Sequence, residues 1–330
     1  MTQLTRRAVL SGATAATALG PLAAAPLAQA AAPLAGKQAP GWYRYKVGGI
    51  EVTVVTDGAR SFPLPDTFVT NSNKDEVNAA LAAAYMEKDK MTIVFNPIVV
   101  NTGSKLILID TGYGEAEHAR SKGATGQLQA NLAAAGIEAK AIDAVVISHF
   151  HQDHTDGLLT ADNKAAFPNA EIMVPAAEWA FWMDDGEMSR APKGRMEGLF
   201  KNNRRVFDAL GRKVTQYEWN KEIAPGITSV ATVGHTVGHT SYVISSGSSK
   251  VYVQSDVTNH PALFARHPGW HAFFDQDGAK AEETRRKVYD MLVAEKMPVQ
   301  AFHYPFPSLA YVEKAGSGYR EIPVPWNPTI

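Results

Sequence analysis

The sequence contains no cysteine among its 330 residues, and this absence excludes several kinds of chemistry together. Without a thiol the chain can form no disulfide, use no thiolate nucleophile and offer no cysteine ligand to a metal. Any metal site must therefore be built from histidine, aspartate and glutamate side chains. The chain has ten His, enough for such a site.

An excess of charge of either sign is also missing. The 32 Lys and Arg nearly balance the 33 Asp and Glu, which leaves a formal net charge of −1. No block rich in Lys and Arg stands out, so the charge pattern predicts no nucleic acid partner. Hydrophobic residues make up 45% of the chain, enough to bury the core of a globular protein.

Residues 1–30 resemble a twin-arginine export signal and are not expected to belong to the fold. Arg6 and Arg7 precede a weakly apolar run rich in Ala, Gly and Thr, and Ala28-Gln29-Ala30 matches a small-x-small cleavage site. The run is short and Ala-rich, so cleavage after Ala30, or alternatively after Ala32, is favoured over stable membrane insertion. The predicted location is therefore the periplasm or the outside of the cell.

The rest of the chain shows a flexible lead-in followed by one domain. Residues 31–40 are rich in Pro and Ala, and no linker or repeat divides residues 41–330. Apolar or alternating segments predict strands near residues 50–58, 96–103, 105–110, 144–148, 171–174, 227–232, 241–245, 250–254 and 299–303. Helical spacing predicts helices at residues 73–88, 125–135, 176–183, 199–210 and 281–295. Because strands and helices mix in both halves, we predict an α+β fold, an αβ/βα four-layer sandwich.

Four metal-binding side chains fall within six positions that directly follow the predicted strand at residues 144–148. They are His149, His151, Asp153 and His154. His149 and His151 are two positions apart, which in extended chain places both side chains on one side, so one metal can take both. Asp153 and His154 point elsewhere and are free for a second metal. This loop therefore predicts two metal ions close together.

Further donors follow other predicted strands. His235 lies in a Gly-flanked loop, Asp256 ends an apolar strand, and His303 ends another. Polar side chains at the tips of buried elements are typical of functional sites.

These residues resemble the metallo-β-lactamase superfamily. The segment from His149 to His154 matches its HxHxDH signature, and Asp110-Thr111-Gly112, the Gly-His segment containing His235, Asp256 and His303 match in the same order. The resemblance implies one metal on His149, His151 and His235, and another on Asp153, His154 and His303, with Asp256 bridging them. It also implies that Asp110 orients a ligand and that His239 supports the site without binding metal.

The implied cofactors are two divalent ions, with zinc as the default and cobalt, manganese or iron able to use the same ligands. Two such ions sharing a water hold a bridging hydroxide near neutral pH, and this hydroxide can attack an ester or phosphoryl centre. Asp153 and Asp256 are the predicted catalytic carboxylates, because either can pass a proton to the leaving group.

Within the superfamily, the chain resembles an exported branch that contains methyl parathion hydrolase and quorum-quenching lactonases. The similarity includes Gly41-Trp42-Tyr43-Arg44 and Gly318-Tyr319-Arg320. Those lactonases carry Tyr three residues after the bridging Asp, where this chain has Asn259. Asn259 can still donate a hydrogen bond to a carbonyl or phosphoryl oxygen.

The stretch after Asp256 predicts an apolar substrate pocket, which favours a small hydrophobic ester or lactone. Its predicted residues are Phe68, Asn259, His260, Phe264, Trp270 and Phe273. Lactone or aryl ester hydrolysis, with N-acyl homoserine lactones among the substrates, is therefore the leading prediction. Organophosphate triester hydrolysis is the alternative, and a non-catalytic or redox di-metal protein is a more remote one. The resemblance also leaves a homodimer open.

Overall fold

The computed structural model describes residues 34–330, so the predicted export signal lies outside the described residues and stays a prediction. Residues 34–40 are exposed and carry no helix or strand, and Pro40–Ile330 forms one compact unit. In the described part, no helix is both long enough and apolar enough to cross a membrane.

Strands dominate residues 41–330. In chain order the described strands are β1 (Trp42–Val47), β2 (Ile50–Val55), β3 (Gly58–Pro63), β4 (Lys90–Phe95), β5 (Ile98–Asn101), β6 (Leu106–Ile109), β7 (Ala144–Val146), β8 (Glu171–Pro175), β9 (Thr215–Tyr217), β10 (Glu222–Ala224), β11 (Ile227–Ala231), β12 (Thr240–Ser246), β13 (Ser249–Ser255), β14 (Val299–Ala301), β15 (Leu309–Ala315) and β16 (Gly318–Pro323). The described α-helices are α1 (Lys74–Ala83), α2 (Glu115–Arg120), α3 (Leu128–Ala134), α4 (Gln152–Thr155), α5 (Ala176–Trp182), α6 (Asp185–Arg190), α7 (Arg195–Ala209) and α8 (Gly278–Glu295).

The strands form two seven-stranded sheets and a small hairpin. The first sheet has the order β1-β2-β5-β6-β7-β8-β9, the second has the order β10-β11-β12-β13-β14-β15-β16, and β3 pairs with β4. In the first sheet β6 to β9 run parallel, and in the second β13 and β14 run parallel. The carboxyl ends of β7, β13 and β14 lead into the segments that carry the metal-binding side chains.

The two large sheets pack face to face through apolar side chains. Val52, Val100 and Ile107 of the first sheet belong to the same buried cluster as Tyr242 and Ile244 of the second. Helices α3, α5 and α7 cover the outer face of the first sheet, and α8 covers that of the second. This burial of both faces gives four layers and confirms the predicted α+β sandwich.

The predicted elements are present with shifted ends. Helix α1 begins after Asn73, whose side chain accepts a hydrogen bond from the Glu76 N–H, and it ends at Ala83 rather than near residue 88. The chain turns there because Tyr85 adopts a left-handed conformation with φ of 57°. Helix α7 begins at Arg195, earlier than predicted, directly after Gly194. Strands β1, β15 and β16 were not predicted, since their outer faces are polar and half-exposed.

A buried carboxylate fixes the loop that leads from β6 to the site. Asp57 accepts hydrogen bonds from the backbone N–H groups of Tyr113 (2.8 Å), Gly126 (3.2 Å) and Leu128 (2.9 Å). Gly112 is required beside it, because a Cβ there would lie 2.3 Å from Asp57 Cγ and its φ is +70°. Burial raises the pKa of Asp57 to about 6. The anchored loop places Tyr113 at the edge of the site.

Candidate metal centre

Three imidazoles converge where the loop after β7 meets the loop after β11. His149 Nε2 lies 3.1 Å from His151 Nδ1, which in turn lies 2.9 Å from His235 Nε2. All three side chains are buried. Burial lowers the pKa of His149 and His151 well below the usual value, and neighbouring imidazoles add to the effect. The rings of His149 and His151 are therefore neutral, which is the form that binds a metal.

A second group of donors lies next to the first. Asp153 Oδ2 is 3.6 Å from His154 Nε2 and 3.5 Å from His303 Nε2. Asp256 reaches both groups, because its Oδ2 lies 3.0 Å from His303 Nε2 and 3.3 Å from His235 Nε2, while its Oδ1 lies 3.3 Å from His154 Nε2. The structure thus brings all seven predicted ligands together and places Asp256 between the two groups.

Two buried ligand atoms of this cluster form no hydrogen bond with the described part of the chain. They are His154 Nε2 and Asp256 Oδ1, neither of which has a hydrogen-bond partner among residues 34–330. Burial lowers the pKa of His154, but the carboxylates of Asp110, Asp256 and Asp153 outweigh it and raise the pKa well above the usual value. These carboxylates favour positive charge at this point. Imidazole nitrogens and carboxylate oxygens in two adjoining groups therefore fit two divalent cations.

Asp110 and His239 lie behind the ligands, as the sequence predicts. Asp110 Oδ2 is 2.8 Å from His154 Nδ1, and the same carboxylate accepts hydrogen bonds from the Ser148 N–H and hydroxyl. His239 Nε2 accepts a hydrogen bond from the Asp256 N–H at 3.0 Å, while its Nδ1 faces the Thr232 carbonyl at 3.0 Å. Both nitrogens of His239 are thus engaged by backbone atoms.

Asp275 orients His235, and sequence reasoning missed it. Its Oδ1 lies 2.8 Å from His235 Nδ1, and its Oδ2 accepts a hydrogen bond from the Ala272 N–H. The buried guanidinium of Arg285 lies 3.7 Å from the same carboxylate. A carboxylate behind a ligand imidazole fixes the ring and raises its basicity.

Replacing Asp275 with Asn is expected to weaken metal binding by about 10- to 100-fold, because the amide carries no charge to support the His235 ring. Competition against a chelator of known affinity measures the change. Asp277→Asn is the matched control, since Asp277 only caps α8 by accepting from the Lys280 N–H, a role that Asn performs equally well. Equal metal affinity of both variants would refute the assigned role.

Glu178 of α5 is a fully buried carboxylate that joins two ligand-bearing loops, and it too was missed. Its Oε2 accepts hydrogen bonds from the Phe150 N–H at 3.0 Å and the Trp182 indole N–H at 2.6 Å. Its Oε1 accepts from the Gly238 N–H at 2.8 Å and from the Thr236 hydroxyl. Burial raises the pKa of Glu178, whereas these four donors act in the opposite direction. The carboxylate fixes the loop of His149 and His151 to the loop of His235.

A cavity of about 600 Å³ opens above the two donor groups. Of the predicted pocket residues, Phe68, Asn259 and Phe273 lie in its wall. Aromatic side chains cluster there, with ring centroids of Phe68 and Phe273 5.7 Å apart. Sequence reasoning missed several other lining residues, among them Arg60, Phe62, Phe95, Tyr113, Arg195 and Leu199.

Two predicted pocket residues lie elsewhere. His260 begins the short π-helical turn Pro261–Ala265, and its Nδ1 accepts a hydrogen bond from the Ala262 N–H at 3.3 Å. Burial lowers the pKa of His260 to about 4, so this ring is neutral. Phe264 is fully buried behind Phe68, with ring centroids 6.2 Å apart. It therefore supports the cavity wall without facing the cavity.

Trp270 was also wrongly predicted to line the pocket. Its ring stacks on His267 with centroids 4.1 Å apart, outside the set of residues that line the cavity. The neighbouring His271 pairs with Glu282 at 3.0 Å and is likewise outside. Only some of the aromatic residues that follow Asp256 therefore line the cavity.

Both the sequence and the fold of this chain are similar to those of known proteins. The sequence profile described as "Metallo-beta-lactamase superfamily" matches residues 96–293. AidC, a dizinc quorum-quenching lactonase solved with the product N-hexanoyl-L-homoserine, is 28% identical with a TM-score of 0.80, covering 87% of this chain and 98% of its own. The hydrolase AbOPH of the beta lactamase superfamily is 26% identical with a TM-score of 0.80, covering 88% of this chain and 100% of its own. A probable metal-dependent hydrolase from Staphylococcus aureus, 21% identical with a TM-score of 0.68, covers 87% of this chain and 100% of its own and shows the shared fold alone.

Proposed function

The chain belongs to the metallo-beta-lactamase superfamily, and from this premise we propose that it is a dinuclear metal-dependent hydrolase of lactones or aryl esters. N-acyl homoserine lactones are among the proposed substrates, which the similarity to AidC supports. The observation that carries the proposal is the position of Asp256. Its carboxylate contacts both donor groups and lines the floor of the cavity.

Two divalent cations, when bound, activate a water at neutral pH and polarise the carbonyl oxygen of an ester. When the water adds to the ester carbon, its proton must pass to the departing alkoxide, and a carboxylate of the chain can carry it. Asp153 lines the cavity and its side chain is 16% exposed, so it can reach a departing alcohol. Although burial raises the pKa of Asp256, His303 and His154 lower it well below the usual value and keep this carboxylate ionised. We therefore propose that Asp153 passes the proton to the departing alcohol and that Asp256 stays ionised and holds the cations.

The aromatic wall provides the apolar part of the binding site. Phe62, Phe68, Phe273 and Phe274 line one cavity, which is large enough for a drug-sized molecule. Contact with these rings removes an acyl chain from water and excludes bulk solvent from the ester bond. This arrangement favours hydrophobic esters and lactones over small hydrophilic ones.

A phosphotriester is the second candidate substrate, and Asn259 is the observation in its favour. Asn259 is buried and lines the cavity, at the position where the resemblance to lactonases implies Tyr. In the described part of the chain its Oδ1 has no hydrogen-bond partner, and its amide N–H can donate to a phosphoryl oxygen as well as to a carbonyl. All seven donors are in place, which favours hydrolysis over the non-catalytic and redox alternatives. We propose zinc as the metal and the periplasm as the location.

The test is a substrate panel with and without metal. The purified protein would be assayed on a homoserine lactone, dihydrocoumarin and a methyl phosphotriester, before and after removal of metal with a chelator. We expect hydrolysis of at least one lactone to disappear with the metal and to return when zinc is added, because the donors cannot activate water alone. Absence of chelator-sensitive hydrolysis on all three substrates would refute the proposed function.

A further inference from the structure

Two arginines that line the cavity form no ion pair with a described carboxylate. They are Arg60 of β3 and Arg195 at the start of α7. Apart from Arg266, the other described arginines each pair with an acidic side chain: Arg44, Arg120, Arg190, Arg204, Arg205, Arg212, Arg285, Arg286 and Arg320. Two of the three described arginines without an ion pair thus lie at the substrate cavity, where both residues are exposed.

The position of Arg195 does not favour stability. It is the first residue of the 15-residue helix α7, and the amino end of a helix carries partial positive charge. A cation at this end is unfavourable, whereas an anion bound there is favoured. Arg195 and Gly198 place the first turn of α7 at the cavity wall, so the helix end adds positive potential to the same region.

The contacts of Arg195 also leave its guanidinium available. Its Nη2 lies 3.1 Å from His151 Nε2 and 3.4 Å from the Phe274 carbonyl, and its charged carbon lies 5.7 Å from the Phe273 ring centre. The donor group of the first metal site contains His151 Nδ1, so a cation held there leaves the ring proton on Nε2. The exposed guanidinium of Arg195 then finds no acceptor on His151 and is free to donate to a bound anion.

Arg60, Arg195 and the phenol of Tyr113 line the same cavity. Burial raises the pKa of Tyr113, with Asp153 adding to the effect, so the phenol stays protonated and is itself a donor. Partial burial lowers the pKa of Arg195, whereas the carboxylates of Asp153 and Asp275 act in the opposite direction. Both carboxylates, however, contact ligand histidines.

We propose that Arg60 and Arg195 bind a carboxylate carried by the substrate, at the end of the molecule away from the hydrolysed bond. The inference rests on the proposed function and narrows its substrate class to esters or lactones with an apolar middle and an acidic end. The aromatic wall holds the apolar part, and the two guanidinium groups hold the acid. Arginine suits this role because its planar donors match both oxygens of a carboxylate.

The test compares two esters that differ in one charge. The zinc-loaded protein would be assayed on the 4-nitrophenyl monoester of adipic acid and on the same compound with its free acid methylated. We expect kcat/KM to favour the acidic ester by about 10- to 100-fold, the usual range for charge-assisted hydrogen bonds, and the preference to fall as salt is added. R195Q and R60Q should each lose most of this preference, measured as the ratio of kcat/KM for the acidic ester to kcat/KM for the methyl ester.

Arg266→Gln is the matched control, since Arg266 also pairs with no described carboxylate but lies outside the cavity wall. This variant should keep the full preference. Calorimetry with adipamate, which cannot be hydrolysed as an ester, gives a readout independent of turnover: binding should weaken about tenfold or more in R195Q and remain unchanged in R266Q.

The outcomes separate the inference from the proposed function. Equal turnover of the two esters, or an equal loss on both in R195Q, overturns the acidic subsite and leaves the hydrolase assignment standing. If neither ester is hydrolysed, the calorimetric comparison still decides: adipamate binding that depends on Arg195 supports the subsite, and binding that is absent or independent of Arg195 overturns it.

Discussion

Replacing Asp256 with alanine is expected to lower hydrolysis by on the order of a thousandfold or more. Asp256 is the carboxylate whose oxygens contact His235 of the first donor group and both His154 and His303 of the second. Alanine removes the shared oxygen ligands and leaves five imidazoles and the single carboxylate of Asp153 around two positions, with less negative charge to balance the cations. Binding of two cations at the required spacing then becomes unfavourable.

Metal analysis and kinetics together measure this effect. We expect Asp256→Ala to hold fewer than two divalent ions per chain, and His151→Ala, which removes one donor of the first group only, to lose activity in the same way. Asp162→Ala serves as the control, because that carboxylate is exposed and contacts only Thr160 and Lys164. Wild-type turnover by Asp256→Ala with a full metal complement would remove this residue from its assigned role.

Glu178→Gln is expected to produce the second large effect, a loss of about 2–6 kcal/mol in the free energy of unfolding. The glutamine side chain keeps the size of glutamate but offers one acceptor oxygen where the carboxylate offers two. Two of the four donors, on Phe150, Trp182, Thr236 and Gly238, then face an NH2 group. Each buried donor left without an acceptor costs about 1–3 kcal/mol.

Denaturant unfolding of the metal-free protein isolates this loss from any change in metal binding. Chelator competition on the loaded protein then shows whether the loops of His149 and His235 have moved apart, which would weaken the first donor group. Glu187→Gln is the control, because Glu187 pairs with Arg190 on an exposed helix face. An unchanged unfolding midpoint together with unchanged metal affinity would show that Glu178 does not hold the loops together.

The ligands could be predicted because their pattern is local. His149, His151, Asp153 and His154 lie within six residues, and the strands before them are short and apolar. The two-sheet architecture could also be predicted, because short hydrophobic runs in the sequence indicate buried strands. Strand β9, with only the three residues Thr215–Tyr217, is too short and too polar to give such a signal.

The residues behind the ligands could not be predicted because their partners are distant in sequence. Asp275 contacts His235 across 40 positions, and Glu178 contacts Thr236 across 58. Glu178 did leave one signal, as the single charged residue of the otherwise apolar helix α5. A lone acid in such a helix must be buried with partners, and this indicates a structural carboxylate even without naming them.

The pocket was partly wrong because composition does not tell which way a loop residue points. Phe273 and Phe264 both follow Asp256 and are equally hydrophobic, but Phe273 lines the cavity while Phe264 is fully buried behind it. Arg195 was missed for the opposite reason: an arginine at the start of a helix resembles an ordinary surface residue. Its distinguishing property is that it lines the cavity and pairs with no described carboxylate, which is visible only in three dimensions.

The division of ligands between the two sheets has a consequence for biosynthesis and turnover. His149, His151, Asp153 and His154 come from the first sheet, whereas His235, Asp256 and His303 come from the second. Neither half can hold the ions alone, so loading must follow the docking of the sheets, and contacts this distant in sequence form slowly. Each bound ion in thousandfold excess over its dissociation constant adds about 4 kcal/mol to the folded state. A cell short of metal would therefore degrade this chain as well as leave it inactive, and the amount of protein would follow the metal supply.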